Sequence, residues 1–154
     1  MDIREDDLRG PEIAALLETH LAMQAELSPP ESVHALDLAA LRVPEITFFT
    51  AWENGELAGC GALKRLDAAH GEIKSMHTAA AFRRRGVAAA ILERIIAEAG
   101  AQGLERISLE TGSMPEMAPA RALYARHGFV PCGPFGQYRE DPNSLFMTRT
   151  LDDG

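Results

Sequence analysis

Hydrophobic and polar residues recur with different periods along the chain, and these periods predict a mixed α/β architecture. Residues 1–5 predict a short edge strand. Behind Pro11, hydrophobic residues recur at helical spacing, which predicts a helix with one buried face; they are Ile13, Leu16, Leu17 and Leu21. Ser28-Pro29-Pro30 interrupts this helix, and residues 34–41 predict a second, less regular helical segment.

The next part of the chain has the period of β-strands. Residues 46–52 and 57–63 are largely apolar, and Asn54-Gly55 between them predicts an antiparallel hairpin. Residues 72–78 predict a further strand. Its regular alternation assigns side chains to two faces: Ile73, Ser75 and His77 on one, and Glu72, Lys74, Met76 and Thr78 on the other.

The strongest helical stripe begins at Val87 and continues through Ile91, Leu92, Ile95 and Ile96. Gly100 and Gly103 mark its end, and residues 106–111 predict the next strand. A strand, a crossover helix and a strand predict a parallel pair. A last helix ends at Gly128, and a long connection rich in proline and glycine leads to a final strand at residues 145–151.

Composition and charge narrow the classes of function. The 154 residues fit one domain, 1–154, with 46% hydrophobic and 25% charged residues. A net charge of −8 argues against nucleic acid or a membrane surface as the main partner. Cys60 and Cys132 predict free thiols in a reducing cytoplasm, with Cys60 as a small buried residue. The five histidines lack metal-ligand spacing, which predicts that no metal is involved.

A basic turn precedes the strongest helix. Arg83, Arg84, Arg85 and Gly86 stand where the first N–H groups of that helix have no intrahelical partners. This arrangement predicts a binding site for a phosphate group. The glycine and lysine pattern of a nucleoside-triphosphate loop and the dinucleotide fingerprint are both missing from the sequence.

Two motifs resemble those of the GCN5-related N-acetyltransferase (GNAT) superfamily. Arg83-x-x-Gly86-x-Ala88 resembles its pyrophosphate loop, [Q/R]-x-x-G-x-[G/A]. A second element resembles A-x-x-L-Y-x-x-x-G-F and is matched at Ala120, Leu123, Tyr124, Gly128 and Phe129. Met117 departs from the pattern, since many members carry asparagine there. The resemblance implies an α/β fold of the α+β type, with a central mixed twisted sheet of about six to seven strands. About four helices would flank this sheet, and one pair of parallel strands would splay apart.

The resemblance also implies a reaction: acetyl-CoA would acetylate a primary amine of a small molecule, an amino-acid-like compound or a peptide, by direct attack in a ternary complex without a metal. It implies cofactor contacts at Met76, Thr78, Arg83, Arg84, Arg85, Gly86, Val87 and Ala88. Tyr124 would protonate the departing thiolate. Glu72, eleven residues before Arg83, would be the general base, with His77 or a water as alternatives.

The sequence says less about the acceptor substrate and the oligomeric state than about the coenzyme. Tyr138 and Asp141, in the connection before the final strand, are expected to contact the substrate, although an ordinary turn also accounts for these residues. A homodimer is expected to form if the final strand is exposed and pairs between subunits. Two alternatives stay open: a non-catalytic acyl-CoA-binding module of the same fold, and a nucleotide- or phosphosugar-binding α/β domain.

Overall fold

The computed structural model describes residues 1–33 and 36–151. In chain order its strands and helices are β1 (Asp2–Glu5), α1 (Pro11–Leu27), α2 (Leu38–Leu41), β2 (Ile46–Glu53), β3 (Glu56–Arg65), β4 (His70–Thr78), α3 (Val87–Ala101), β5 (Arg106–Gly112), α4 (Ala118–Arg126), β6 (Val130–Cys132) and β7 (Ser144–Thr150). Short 3₁₀ turns lie at Pro30–Ser32, Ala80–Phe82 and Pro115–Met117. Part of the predicted helical segment at 34–41 lies outside the described residues.

The strands of this described region form one seven-stranded sheet in the order β1-β2-β3-β4-β5-β7-β6. Only β4 and β5 run parallel within it, joined by α3, and the other neighbours are antiparallel. The predicted fold class is confirmed. Asn54 and Gly55 both have positive φ values, 52° and 80°, as a tight hairpin turn requires, so the predicted hairpin between β2 and β3 is confirmed as well.

Hydrophobic residues cover both faces of the sheet. On one face Ile91, Leu92 and Ile95 of α3 pack against the strands, together with Tyr124 and Phe129 at the end of α4. The other face carries a separate cluster formed by α1 and α2, and its members are Leu8, Ile13, Leu16, Leu17, Leu41, Phe48, Cys60 and Ala62. The sheet is thus the middle layer of three.

Two features of the last third of the chain differ from the sequence-based expectation. The connection after α4 contains the short strand β6, which pairs with β7. The final strand β7 consequently lies between β5 and β6 instead of at the edge. The predicted exposure of the final strand is therefore wrong, because a chain segment that was expected to be irregular covers it. Pairing between subunits through this strand loses its basis, and dimerisation itself stays a prediction.

Glycines in β3 allow α3 to lie close to the sheet. A Cβ atom at Gly59 would stand 2.8 Å from Cγ1 of Val87 and 2.8 Å from the carbonyl oxygen of His77. A Cβ atom at Gly61 would stand 2.7 Å from Cγ2 of Ile91. All three separations are shorter than ordinary contacts of a Cβ atom, so the close approach of backbone and helix depends on these two glycines, as their spacing around the buried Cys60 predicted.

Candidate active site

The parallel strands β4 and β5 separate part of the way along their length. They pair from His70 with Arg106 to Ile73 with Leu109, whereas β4 continues to Thr78. The splayed parallel pair that the resemblance implied is therefore present. A cleft opens beyond the last pair, and its lining consists of His20, Gln24, Glu72, Ile73, Lys74, Ser75, Met76, Glu110, Thr111, Gly112, Met117, Tyr124 and Tyr138.

An irregularity in β4 decides which side chains face the cleft. Ser75 has a φ of 58°, and the register with β3 shifts opposite it. One additional residue in a strand reverses the alternation of side chains that follow it. Met76 therefore packs with Ile73 against the α3 cluster, while His77 contacts His20 of α1 on the opposite face. The predicted alternation along this strand is wrong beyond the bulge.

Glu72 is held in the cleft by two hydrogen-bond donors. Its side chain is 5% exposed, and its Oε2 accepts from Nζ of Lys74 at 3.0 Å and from the phenol of Tyr138. Nζ of Lys74 also donates to the Tyr138 oxygen at 2.9 Å. Burial raises the pKa of Tyr138, and the carboxylate of Glu72 raises it further, so the phenol keeps its proton. The fold thus brings a predicted catalytic residue and a predicted substrate residue into contact.

Asp141, the second predicted substrate residue, is absent from the lining of the cleft among the described residues. Its Oδ2 accepts a hydrogen bond from the hydroxyl of Ser32 at 2.6 Å, and its Oδ1 accepts one from the backbone of Asn143 at 2.8 Å. These bonds join the connection before β7 to the turn that follows α1. A substrate contact by Asp141 stays a prediction, while its turn-forming contacts are observed.

Tyr124 borders the cleft from α4. It is 6% exposed, and its ring packs edge-on against Phe129 with centroids 5.8 Å apart. Burial raises the pKa of its phenol, and the negative charge of Glu110 adds to this. The group is therefore protonated at neutral pH and is able to donate a proton. Met117, which replaces the asparagine of many family members, lines the same cleft.

Two buried hydroxyl groups in the cleft lack a partner. Oγ of Ser75 and Oγ1 of Thr111 form no hydrogen bond with any residue that the structure describes, although the two residues are only 8% and 6% exposed. Buried polar atoms in folded proteins are nearly always hydrogen-bonded. These two hydroxyls therefore favour a polar ligand between the splayed strands.

The basic turn lies at the start of α3, as the sequence predicted. Gly86 precedes the first helical residue, Val87, with a φ of 79°, and none of the described side chains caps the helix there. Arg84 also has a positive φ, 64°, and the guanidinium group of Arg85 lies 5.5 Å above the ring of Phe82. The three arginines are exposed, so charge and uncapped helix N–H groups face the solvent together.

The remaining predicted cofactor contacts lie just before this turn. Met76 lines the cleft, and Thr78 ends β4 opposite Gly59 of β3. The chain then passes through the 3₁₀ turn Ala80–Phe82 and reaches Val87 and Ala88 in the first turn of α3. The cleft and the basic turn are thus consecutive along one continuous stretch of chain.

A pair of histidines joins α1 to β4. Nδ1 of His20 lies 3.0 Å from Nδ1 of His77, and the rings meet edge-on with centroids 5.0 Å apart. Burial lowers the pKa of His20 to about 4, and the nearby His77 contributes to the shift. Burial also lowers the pKa of His77, with a smaller contribution from Arg83. Both imidazoles are therefore neutral at neutral pH.

His20 was not among the site residues predicted from the sequence. A signal was present, because His20 continues the buried stripe of α1 at the helical spacing of Ile13, Leu16 and Leu17. Its partner could not be identified from the sequence, since the two histidines are 57 residues apart.

This burial predicts acid lability. In the unfolded protein His20 has its ordinary pKa of 6.5, whereas in the folded protein its pKa is about 4. Between these values the unfolded state binds more protons, so the free energy of unfolding should fall by about 3 kcal/mol as the pH drops from 6.5 to 4. Urea unfolding at several pH values measures this slope. His20→Asn should flatten it and His127→Asn, outside the cleft, should not; equal slopes in all three proteins would contradict the prediction.

Two further properties concern the described residues as a whole. Within 1–33 and 36–151, no three histidine, cysteine, aspartate or glutamate side chains are grouped so that they could hold a metal ion. Over the same residues, none of the helices is both long and apolar enough to cross a membrane.

Comparisons with known proteins agree with this geometry. The model of the Acetyltransferase (GNAT) family matches residues 13–129. The uncharacterized N-acetyltransferase YsnE of Bacillus subtilis is 58% identical over 151 residues, which cover 98% of this chain and 100% of that protein. The IAA acetyltransferase of Azospirillum brasilense is 40% identical, with 96% of this chain and 95% of that protein covered.

A solved structure is also similar. The crystal structure described as an acyl-CoA N-acyltransferase from Klebsiella pneumoniae superimposes with a TM-score of 0.81 at 25% identity. The superposition covers 98% of this chain and 97% of that one. The arrangement of strands and helices around the cleft is therefore shared with an acyltransferase fold.

Proposed function

The chain belongs to the acetyltransferase (GNAT) family, a family of acyl-transfer enzymes, and from this premise we propose that it moves an acetyl group from acetyl-CoA to a primary amine. The acceptor would be a small molecule, an amino-acid-like compound or a peptide, and attack would be direct within a ternary complex. Residues 1–154 would form one such domain. The separation of β4 from β5 next to Tyr124 carries this proposal, because it leaves room for a thioester beside a proton donor.

Coenzyme A would occupy the continuous stretch from the cleft to the basic turn. Its pyrophosphate would accept hydrogen bonds from the backbone N–H groups between Arg83 and Ala88, aided by the positive end of the α3 dipole. Its pantetheine arm would lie between the splayed strands, next to Met76 and Thr78. The partnerless hydroxyls of Ser75 and Thr111 support a polar occupant of this gap.

The reacting groups would meet at the inner part of the cleft. An amine becomes a nucleophile only after its ammonium form loses a proton, and a thiolate leaves more readily when it is protonated. Tyr124 would supply the proton to sulfur. Glu72 would bind the ammonium group by its negative charge and is one of the candidate proton acceptors, beside His77 and water. A thioester is already activated, so positioning accounts for most of the catalysis.

Release of free thiol from acetyl-CoA across a panel of acceptors tests the proposal. The panel contains spermidine, an aminoglycoside, an amino acid amide, a peptide with a free amino terminus, and IAA, which occurs in the name of the Azospirillum relative. Turnover with any amine would support the proposal. Stabilisation by acetyl-CoA without turnover of any amine would favour a non-catalytic acyl-CoA-binding module, and no stabilisation at all would exclude both.

Binding at the basic turn leads to a quantitative expectation. Coenzyme A at a hundred times its dissociation constant should stabilise the protein by about 2.7 kcal/mol, as measured by thermal unfolding. Replacing Arg83, Arg84 and Arg85 together by glutamine should weaken coenzyme A binding by about 10- to 100-fold, because charge-assisted contacts to phosphate are lost.

A matched control separates local contacts from overall charge. Arg4, Arg9 and Arg126 are also exposed, and replacing these three by glutamine gives the same net charge. This control should leave the affinity for coenzyme A nearly unchanged. If both triple variants lost affinity equally, the basic turn would not be the coenzyme site.

A further inference from the structure

The histidine pair next to the cleft is suited to proton transfer, an inference that rests on the proposed function. We propose that His20 is the proton acceptor in acetyl transfer, taking the ammonium proton on Nε2, and that His77 is a positioning residue that holds the His20 ring through the Nδ1 to Nδ1 hydrogen bond. Neither histidine was predicted to act in this way: His20 was not a candidate, and His77 was a candidate base by itself.

The position of the pair favours His20 over His77 as the group that meets the acceptor. His20 lines the cleft together with Tyr124, whereas His77 lies behind it on β4 and does not line the cleft. His20 is 5% exposed, so its ring is fixed by packing. Because Nδ1 is engaged with His77 at 3.0 Å, Nε2 is the nitrogen left for a molecule in the cleft. Among the residues that the structure describes, none forms a hydrogen bond with this Nε2.

Glu72 is less suited to accept the proton. Its Oε2 already accepts two hydrogen bonds, from Lys74 and from Tyr138, and the ion pair with Lys74 is almost fully buried. A proton on this carboxylate would break the ion pair and leave a buried ammonium group without its counter-charge, which is costly. Glu72 is better suited to hold Lys74 and Tyr138 in place at the wall of the cleft.

The hydrogen bond between the two histidines also sets the tautomers. A contact between two Nδ1 atoms needs one donor and one acceptor, because two bare nitrogens repel each other. The proposal requires His20 to be the donor, with hydrogen on Nδ1 and a free lone pair on Nε2. When Nε2 accepts a proton, Nδ1–H of the resulting imidazolium still donates to His77, and the positive charge keeps its partner.

With these roles, every proton in the reaction has a donor and an acceptor. The ammonium group gives one proton to Nε2 of His20, and the neutral nitrogen attacks the thioester carbonyl carbon. The carbon–sulfur bond breaks, and the phenol of Tyr124 protonates the departing thiolate. The second nitrogen proton leaves as the amide forms and restores the phenol, while His20 returns its proton to solvent. The products are the N-acetylated amine, coenzyme A and one proton.

Several ionisable groups lie around this pair. From β4, Glu72 and Lys74 face the same cleft as His20, and Glu110 of β5 lies across it. Tyr138 and Tyr124 are protonated and carry no charge. Burial lowers the pKa of His77, and the charge of Arg83 adds to this shift. Because burial and the neighbouring His77 lower the pKa of His20, a proton taken from the acceptor passes from His20 to solvent within each turnover.

Steady-state kinetics with an amine that the panel identifies tests the assignment. His20→Asn keeps a group that can bond to His77 but lacks Nε2, so kcat should fall by about 100-fold while the Kd for coenzyme A is unchanged. Added imidazole should restore part of the lost rate. His127→Asn is the matched control, since His127 pairs with Glu93 at 3.6 Å outside the cleft, and it should retain the kcat of the wild-type enzyme. For His77, asparagine should preserve kcat within a few-fold and leucine should not.

The outcomes separate this inference from the proposed function. A wild-type enzyme inactive with every amine would overturn the proposed function and the proton acceptor with it. An active wild-type enzyme with an equally active His20→Asn variant would overturn the histidine assignment alone. Nitrogen NMR of the imidazole rings is a second test, because it identifies the tautomer of His20. Hydrogen on Nδ1 with an unprotonated Nε2 would support the inference, and hydrogen on Nε2 would overturn it.

Discussion

Tyr124→Phe is expected to lower kcat by about 100-fold, because it removes the one proton donor that we assign to the departing thiolate. The phenylalanine keeps the ring contact with Phe129, so neither the fold nor the cleft should change. Stopped-flow measurement of thiol release at saturating acetyl-CoA gives the rate constant for chemistry, and equilibrium titration gives the affinity for coenzyme A, which should stay the same.

Tyr138→Phe provides the matched comparison, since the chain contains only these two tyrosines. Tyr138 donates to Glu72 and accepts from Lys74, so its loss should alter the binding of the acceptor and raise KM more than it lowers kcat. An unchanged rate constant in Tyr124→Phe would remove Tyr124 from the mechanism, whatever the behaviour of Tyr138→Phe.

Gly59→Ala is expected to be the most destabilising of the conservative changes considered. The added methyl group would meet the carbonyl oxygen of His77 and Cγ1 of Val87, both at 2.8 Å. The backbone carbonyl of His77 cannot rotate away from the new methyl group as a flexible side chain would. β4 and the start of α3 would therefore have to move. Overpacking of this kind costs about 1–3 kcal/mol of unfolding free energy, which corresponds to a fall in Tm of roughly 2–12 °C for a chain of this size.

The affinity for coenzyme A should fall in the same variant, because Val87 is the first residue of the helix that we assign to the pyrophosphate. Gly100→Ala is the control in the same helix, since a methyl group there meets nothing within 4 Å. It should stabilise the protein by about 0.5–1 kcal/mol, as removal of a helical glycine usually does. A Gly59→Ala protein as stable as the wild type would show that α3 adjusts freely, contrary to the packing described above.

Local signals in the sequence were sufficient to predict the elements whose structure depends on residues close together in the chain. The Asn54-Gly55 turn, the stripe of α3 and the basic turn before it all follow from residues close together in the chain. The class of the fold followed from the strand–helix–strand order and from two motifs that resemble a known family. The cleft itself was predicted through that resemblance, not through the spacing of residues.

Contacts between distant segments could not be predicted in this way. The bulge at Ser75 depends on pairing with β3, and a strictly alternating sequence gives no sign of it. Tyr138 meets Glu72 across 66 residues, and His20 meets His77 across 57. Each contact results from packing of the whole sheet against its helices, so a polar residue on an apolar stripe, as at His20, was the only local indication.

The short strand β6 bears on how this protein meets other chains. It is three residues long and contains Pro131, which has no N–H group to offer. At the opposite end of the sheet β1 has four residues, and Asp2 and Arg4 on it are charged and exposed. Brief strands, proline and charge are the features that keep sheets from joining edge to edge into aggregates. If subunits associate, helix faces or loops must make the contact, and the molecule should tolerate crowding at high concentration without forming β-linked polymers.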